Sequence, residues 1–573
     1  MKEPFDIVPS PAVSGSSSYS VPRHGAPVDL RLDGNEGAAP PQALLDELAK
    51  QGGELLRRYP DAGELEGRIS EMIGVAPSRV IVTAGGDDAI YRALKSVLAP
   101  GREMILPEPT FEMFERYARL AGGELVRIPW SKGSFPVDEV IASVGERTAA
   151  IAVVSPNNPT GLAATVSDLR RISEAAPRAL IVVDLAYTEF ADRDLTEAAL
   201  GLPNAVAIRT FSKAWGLAGL RVGWAAGPER VISWMRAAGN PYAVSSASLA
   251  LAMRRLDGRD EVAGFVARVR SEVALLSSLV KELGGEALPS QANFVLARFP
   301  DAIFVRDGLA GLGIAVRAFP GREGLEDCVR ITVPGDENDF ARLSLALRTV
   351  LEPEAVLFDI DDTLADVTES YRRATVETAA RFGVEVGFED IARLKEAGGA
   401  NNDWELTWRL VREGGASASL EEVTEAFEEI YQGTAERAGL RKSERLLIDA
   451  EMLRRIARRY RLGIVTGRPR SDAATFFEEQ GIAGLFGAIV TMDDAPLKPS
   501  PEPVARAMSE LGVARAWMVG DTPDDVRAAR GAGVLPIGVV APADETEFAR
   551  RMLANSGAAR VLLKLSQIEE MLP

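Results

Sequence analysis

The chain has 573 residues, more than one hydrophobic core usually supports, so at least two domains are expected. Its 46% hydrophobic and 26% charged content is that of a globular protein. The net charge of −18 argues against nucleic acid, whose binding rests on Lys and Arg contacts to phosphate.

One cysteine, Cys328, and one histidine, His24, narrow the chemistry further. They exclude an internal disulfide and a Cys/His zinc site, and any histidine triad unless His24 serves. His24 reads as a polar loop residue, and Cys328 as a small buried side chain beside a strand. The start, MKEPFDIVPSPAVSGSSSYS, lacks the apolar core of a signal peptide and reads as an extended arm over 1–27. No run reaches the ~18 apolar residues of a membrane span, so a cytoplasmic protein is expected.

The next segments alternate short apolar runs with helical patterns. RVIVTAG, EMILPEP, AAIAVVSPNNPTG, ALIVVDLAY and AVAIRTFSK read as buried strands. That order predicts a mostly parallel sheet over 28–240, with ligands at the strands' carboxyl ends. A long amphipathic helix, GFVARVRSEVALLSSLVKEL, then opens a smaller α+β domain over 241–350 with NFVLARF, GIAVRAF and CVRITV. A short join, LEPE, precedes a second series: AVLFDIDD, RLGIVTGR, GAIVTMDD and RAWMVGD, over 354–573. The charged helical stretch at 366–456 reads as an insert after its first strand.

In the first series, TFSKAWGLAGLRVGW puts Lys213 after a strand, with Thr210, Ser212 and Arg221 around it. A lysine can form a Schiff base with an aldehyde cofactor, and the hydroxyls and arginine suit that cofactor's phosphate. TAGGDDAIYRAL puts Gly86 and Asp87 at a helix start, where free N–H groups bind phosphate. DLAY and SPNNPTG add Asp184, Tyr187 and Asn158 at strand ends. A carboxylate such as Asp184 keeps a pyridine nitrogen protonated, Asn158 and Tyr187 suit a ring hydroxyl, and Phe111 can stack on the ring. Singly these signals are weak: a lone lysine is usually solvated, and NNPTG can be a turn.

Together and in this order they resemble the fold-type I aminotransferases that use pyridoxal phosphate (PLP), most of all the histidinol-phosphate aminotransferase group. The resemblance runs from about Val28 to Thr349. It implies a PLP-transferase fold, with Lys213 as Schiff-base lysine and Asp184 on the pyridine nitrogen. It also implies that Tyr59, in RRYPD, reaches the partner's cofactor phosphate in a homodimer. Arg330 and Arg317 would grip the substrate's anionic group, and Asn293 would wall the pocket. Departures are NEG at Asn35–Gly37 for NENP, DLAY for DEAY, and YSVPR at Tyr19–Arg23 for Y-x-P-G. They sit at the substrate end rather than the cofactor end.

In the second series, Asp359 and Asp361 are two apart, which places both on one face of a strand's end. One can attack a phosphoryl group while the other exchanges protons with the leaving oxygen. VTGRP offers Thr466, LKPSP Lys498, and VGDTPDD Asp521, Asp524 and Asp525. Carboxylates this close to a phosphate call for a hard cation such as Mg2+. An isolated D-x-D-x-T is most often a strand end with a turn.

Four such motifs in order resemble the haloacid dehalogenase (HAD) superfamily phosphatases of subfamily I, over Ala355 to about Val540. The resemblance implies a Rossmann-like domain with a helical cap, with Asp359 as nucleophile and Asp361 as general acid/base. Thr466 and Lys498 would hold the phosphoryl group. Asp359, Asp361, Asp521 and Asp525 would form the magnesium site. In the cap, Asn401, Asn402 and Trp404 read equally as substrate contacts or as a helix start with a buried Trp. The zinc loop of the uncapped HAD histidinol phosphatases is absent.

The expectation is a bifunctional enzyme: an aminotransferase taking glutamate or a similar donor, and a phosphate-monoester hydrolase. In histidine biosynthesis these would be consecutive steps, from imidazole-acetol phosphate to histidinol phosphate to histidinol, with the LEPE join keeping the sites close. The alternatives are a PLP decarboxylase or lyase on a phosphorylated amino acid, or one half that only regulates. No nucleic-acid or membrane partner is expected.

Overall fold

The computed structural model describes residues 8–14, 18, 24–50, 52–397 and 402–573. Tyr19–Arg23 and Asn401 lie outside them, as does part of the expected arm. The chain divides into two compact units, Met1–Val21 with Leu32–Pro300 and Arg317–Phe340, and Pro22–Arg31 with Asp301–Val316 and Ala341–Pro573.

The first unit is built on a seven-stranded sheet. Its spatial order is Val80–Thr83, Gly223–Ala226, Ala205–Thr210, Leu180–Asp184, Thr148–Val154, Glu103–Glu108 and Glu124–Pro129. All neighbours are parallel except those of Gly223–Ala226, which runs against both. The central strands are buried on both faces. Ile105, Ile151, Val153, Ile181 and Val183 pack to one side, and Met104, Leu106, Ala150, Ala152 and Val182 to the other. Near-continuous apolar runs are what such strands need. The first polar residues therefore come at the strand ends. A smaller antiparallel sheet runs Arg317–Ala318, Cys328–Thr332, Phe294–Arg298, Glu286–Ala287. Cys328 is buried within it.

The second unit has a six-stranded parallel sheet. Its order is Phe486–Val490, Arg461–Val465, Ala355–Phe358, Ala516–Gly520, Leu535–Val539 and Arg560–Leu562. The helices Arg373–Arg381, Phe388–Ala397, Asp403–Glu413 and Leu420–Gln432 follow the first strand. Ala379, Ile391, Leu406, Leu410 and Val423 give this insert its own core. It is entered and left through the antiparallel pair Ala365–Asp366 and Arg445–Leu446. Phe304 and Val350 share one core with Val356, Phe358 and Trp517. His24 also belongs here, its Nε2 3.0 Å from Asp307 Oδ1.

Candidate active sites

In the first unit three adjacent strands end in polar side chains. Asp184 closes the strand Leu180–Asp184 and is buried. Its Oδ1 accepts the Ala186 N–H at 3.1 Å, and burial pushes its carboxyl up to about 7. Tyr187, also buried, accepts a hydrogen bond on its hydroxyl from Asn35 Nδ2 at 3.0 Å. Lys213 Nζ lies 5.5 Å from the Tyr187 ring centroid and donates to Gly34 O at 3.0 Å.

Thr210 lies close to Gly86 at the start of the helix Gly85–Val97, and its hydroxyl donates to Ser212 Oγ at 2.8 Å. Arg221 holds a left-handed backbone, φ 52°, and donates to Ser212 Oγ at 3.4 Å and to Asp87 Oδ2 at 2.8 Å. Gly85, at φ 81°, holds a backbone that a side chain would strain, and a Cβ there would push Arg221 Nη2, 2.6 Å away, aside. Gly86 and Asp87 follow at the helix start. These groups form a compact cradle of hydroxyls, a guanidinium and a helix N-terminus, which suits a phosphate. Phe111 packs half-buried beside the same core. Tyr59 is 82% exposed and stacks on Tyr242 with ring centroids 4.7 Å apart. Within its own chain it reaches the surface and not the cradle.

Arg317 and Arg330 stand directly opposite each other on antiparallel strands. Like charges in that register are unfavourable. Burial and Arg317 together lower the pKa of Arg330. Arg330 Nη1 donates to Asn158 Oδ1 at 2.5 Å and Nη2 to Asp33 O at 2.5 Å. Its Nε, Arg317 Nη1 and Asn293 Oδ1 are buried with no hydrogen-bond partner. Asn293 Nδ2 donates to Asn35 O at 3.3 Å, tying the pocket wall to the Gly34–Gly37 loop.

The second unit gathers its motifs at the carboxyl end of its sheet. Asp359, Asp521 and Asp525 are buried, and each offers an oxygen within 4.8 Å of the others. Lys498 Nζ bridges two of them, 2.8 Å from Asp359 Oδ1 and 2.5 Å from Asp525 Oδ1. Burial pushes the Asp359 carboxyl up to about 7, with Asp525 and Asp361 adding and Lys498 opposing. Burial also raises Asp521 well above its ordinary value. Asp525 additionally caps the helix Pro523–Gly531 through Thr522. Asp524 pairs with Arg527 at 3.1 Å instead. Thr466 follows the strand Arg461–Val465 and is buried, its N–H bonded to Val490 O at 3.0 Å.

The Asp361 carboxylate is not part of that oxygen cluster. Its Oδ1 is taken by Arg468, a residue that sequence reasoning did not single out. Four other charged residues were also missed. Asp362 is fully buried and binds Arg372 at 2.6 Å and Lys395, from the insert, at 3.4 Å. Burial pushes Asp403, on the next insert helix, up to about 6. Asn402 resolves its two readings toward the helix start: its Oδ1 accepts the N–H groups of Trp404 and Glu405 at 3.0 and 3.2 Å. Trp404 packs half-buried and donates to Glu428 Oε1 at 2.8 Å.

A lysine and a buried carboxylate at neighbouring strand ends, beside a phosphate cradle, define a transferase built around an aldehyde cofactor. In the second unit, a carboxylate cluster with a bridging lysine defines a hydrolase. The chain belongs to the class I and II aminotransferase family, whose profile matches residues 29–346. A haloacid dehalogenase-like hydrolase profile matches residues 353–533. The histidinol-phosphate aminotransferase of Roseiflexus castenholzii is 36% identical over 340 residues, 56% of this chain and 91% of that one. That of Paracoccus denitrificans is 34% identical over 348 residues, 59% of this chain and 94% of that one. The imidazoleglycerol-phosphate dehydratase of Phytophthora nicotianae is 46% identical over 214 residues, 36% of this chain. The match spans about half of that protein's length, 47%. The solved histidinol-phosphate aminotransferase of Sinorhizobium meliloti, in complex with pyridoxal-5'-phosphate, shares the fold: TM-score 0.56 at 24% identity, over 61% of this chain and 98% of that one. No helix among the described residues is long and apolar enough to cross a membrane.

Pyridoxal phosphate is the cofactor of this aminotransferase family, and the residues present fit it. The cradle would hold its phosphate, and the buried Asp184 carboxyl would face its pyridine nitrogen. Magnesium is the usual metal of the hydrolase family. Asp359, Asp521 and Asp525 fit it as an oxygen-only set whose mutual repulsion a divalent cation relieves.

Proposed function

We propose that this chain aminates a phosphorylated ketone and then removes the phosphate from the product. The carrying observation is the Arg317–Arg330 pair, two arginines directly opposed in register, each with a buried guanidinium nitrogen that has no hydrogen-bond partner. Such a pair awaits an anion with more than one oxygen. The relatives' names support the specific reading: histidinol-phosphate aminotransferase and imidazoleglycerol-phosphate dehydratase both belong to histidine biosynthesis. The proposed reactions are imidazole-acetol phosphate to histidinol phosphate, then to histidinol, with glutamate as donor.

In the first site the cofactor supplies an aldehyde and an electron sink. Lys213 moves the proton at the substrate carbon once its amine is displaced. Asp184, as carboxylate, holds the pyridine nitrogen protonated. Asn158 and Tyr187 orient the ring oxygen. We place Tyr59 at the cofactor phosphate of a partner subunit, which makes the homodimer the working unit. In the second site Asp359 attacks phosphorus and Asp361 serves the leaving oxygen. Lys498 and Thr466 hold the phosphoryl oxygens. Magnesium supplies charge neutralisation between carboxylates and phosphate.

The test is a mass-spectrometric screen of phosphorylated ketones with glutamate and PLP. Amine and 2-oxoglutarate formed together support the reading. Loss of CO2 from a phosphorylated amino acid, with no 2-oxoglutarate, overturns it in favour of a decarboxylase.

A further inference from the structure

Arg468 is almost fully buried, and each of its three guanidinium nitrogens donates to one of two carboxylates. Nε and Nη2 both reach Asp361 Oδ1, at 2.8 and 2.6 Å. Nη1 reaches Glu444 Oε2 at 2.9 Å. Glu444 is fixed in turn on its other oxygen, which accepts from Ser370 Oγ at 2.9 Å and from Tyr431 OH at 3.1 Å. The guanidinium carbon lies 4.8 Å from the Tyr371 ring centroid and 5.4 Å from that of Phe476. The planar group is thus gripped at its edges and covered by aromatic rings. Both contacts to Asp361 fall on the same oxygen. Among the described residues no donor holds Oδ2.

We propose that Arg468 is a positioning residue that pins Asp361 through Oδ1 and leaves Oδ2 as the oxygen that carries the proton. The inference rests on the phosphatase reading above. In the first step a carboxylate oxygen of Asp359 bonds to phosphorus and the ester P–O bond breaks. Its electron pair goes to the leaving oxygen, which takes the proton from Asp361 Oδ2. In the second step water attacks phosphorus and returns a proton to Oδ2. The bond from Asp359 to phosphorus breaks, releasing inorganic phosphate and the free carboxylate. Without the clamp Asp361 is free to rotate, so Oδ2 is aimed at the leaving oxygen only part of the time. A misplacement of ~1 Å at such a group is enough to lower the rate on the order of 10²-fold.

Two substrates separate this role from a purely structural one. An alkyl phosphate needs its leaving oxygen protonated, and p-nitrophenyl phosphate scarcely does. Arg468→Gln and Glu444→Gln, assayed with Mg2+ in the full-length protein, should lose about 10²-fold or more in kcat on the alkyl ester, the low end for a lost general acid. Because Oδ2 serves as base in the second step with either ester, the comparison is made on the first turnover: the burst of p-nitrophenolate should slow by under about 10-fold, with KM little changed, while release of the alkyl alcohol slows by about 10²-fold. Arg468→Gln placed on Asp361→Asn should lose nothing further, because residues acting as one unit are not additive. Equal first-turnover losses on both esters, or full additivity, overturn the inference while leaving the phosphatase reading intact. If Arg468→Gln does not fold, Glu444→Gln decides by the same ratio. A wild type that turns over neither ester overturns the phosphatase reading and this inference with it.

Discussion

Trp517 Nε1 donates to the backbone oxygen of Thr349 at 2.8 Å, and both residues are buried. Thr349 belongs to the helix Glu337–Leu351, and Trp517 to a central strand of the six-stranded sheet. Phe304 meets the same tryptophan edge-on at 5.4 Å. Arg530 adds a bond from Nη1 to Gly311 O at 2.6 Å. The LEPE join is therefore spanned by shared core, and it does not behave as a free tether.

A cut at Glu352 follows as a test. A fragment of residues 353–573 loses Phe304 and Val350 from its core, and large apolar deletions of this kind cost about 2–5 kcal/mol each. It should melt well below the intact chain or be insoluble. A fragment with the intact chain's melting temperature contradicts the shared core.

The two sites should fail separately. Lys213→Ala should abolish the yellow colour that PLP gives when it condenses with the lysine, and abolish transamination, while phosphate release continues. Asp359→Asn keeps the side chain's shape and loses the nucleophile, so phosphate release should vanish with the visible spectrum unchanged. A Lys213→Ala protein that stays yellow, or an Asp359→Asn protein that still releases phosphate, refutes the assignment.

Asp184 makes a pH prediction. Its carboxyl is pushed up to about 7 by burial, against an ordinary value of 3.8, so the cofactor-free folded state binds its proton more tightly than the unfolded chain. That contribution to stability is full below pH ~4 and declines to pH ~7 at about 1.4 kcal/mol per unit, then is flat. Asp184→Asn removes the dependence. In cofactor-free protein its melting temperature relative to wild type should rise from pH 4 to pH 7 and level off. A difference independent of pH would show that Asp184 is not a buried, uncompensated acid.

Much of both sites was readable because the strands are apolar and their ends are not. A polar residue that ends a doubly buried strand, such as Asp184, Thr466 or Asp521, stands out without any contact map. The strands that escaped notice have physical reasons. Glu124–Pro129 is an edge strand with only Ile128 buried, so it shows no apolar run. Leu535–Val539 contains Pro536, which argues against a central strand. Gly223–Ala226 is made largely of small residues. Distant contacts outside the motifs were not legible. Asn35 and Tyr187 are 152 positions apart, and Arg468 and Asp361 are 107. The capping role of Asn402 needed backbone geometry to separate it from substrate binding.

Subunit exchange tests the place given to Tyr59. Its ring is exposed and stacks on Tyr242, itself 54% exposed, so a second copy can reach it. Tyr59→Phe and Lys213→Ala proteins, mixed under conditions that allow exchange, should recover part of the transaminase activity neither has fully alone. A monomer by light scattering with full activity contradicts the dimeric site.

The most direct measurement gives the purified protein imidazole-acetol phosphate, glutamate, PLP and Mg2+, and follows every product by mass spectrometry. Coupled formation of 2-oxoglutarate, histidinol and inorganic phosphate is predicted, with histidinol phosphate appearing only transiently and hydrolysed in preference to its keto precursor. Histidinol phosphate that accumulates unhydrolysed, or a keto precursor dephosphorylated as fast as the amine, would contradict consecutive catalysis.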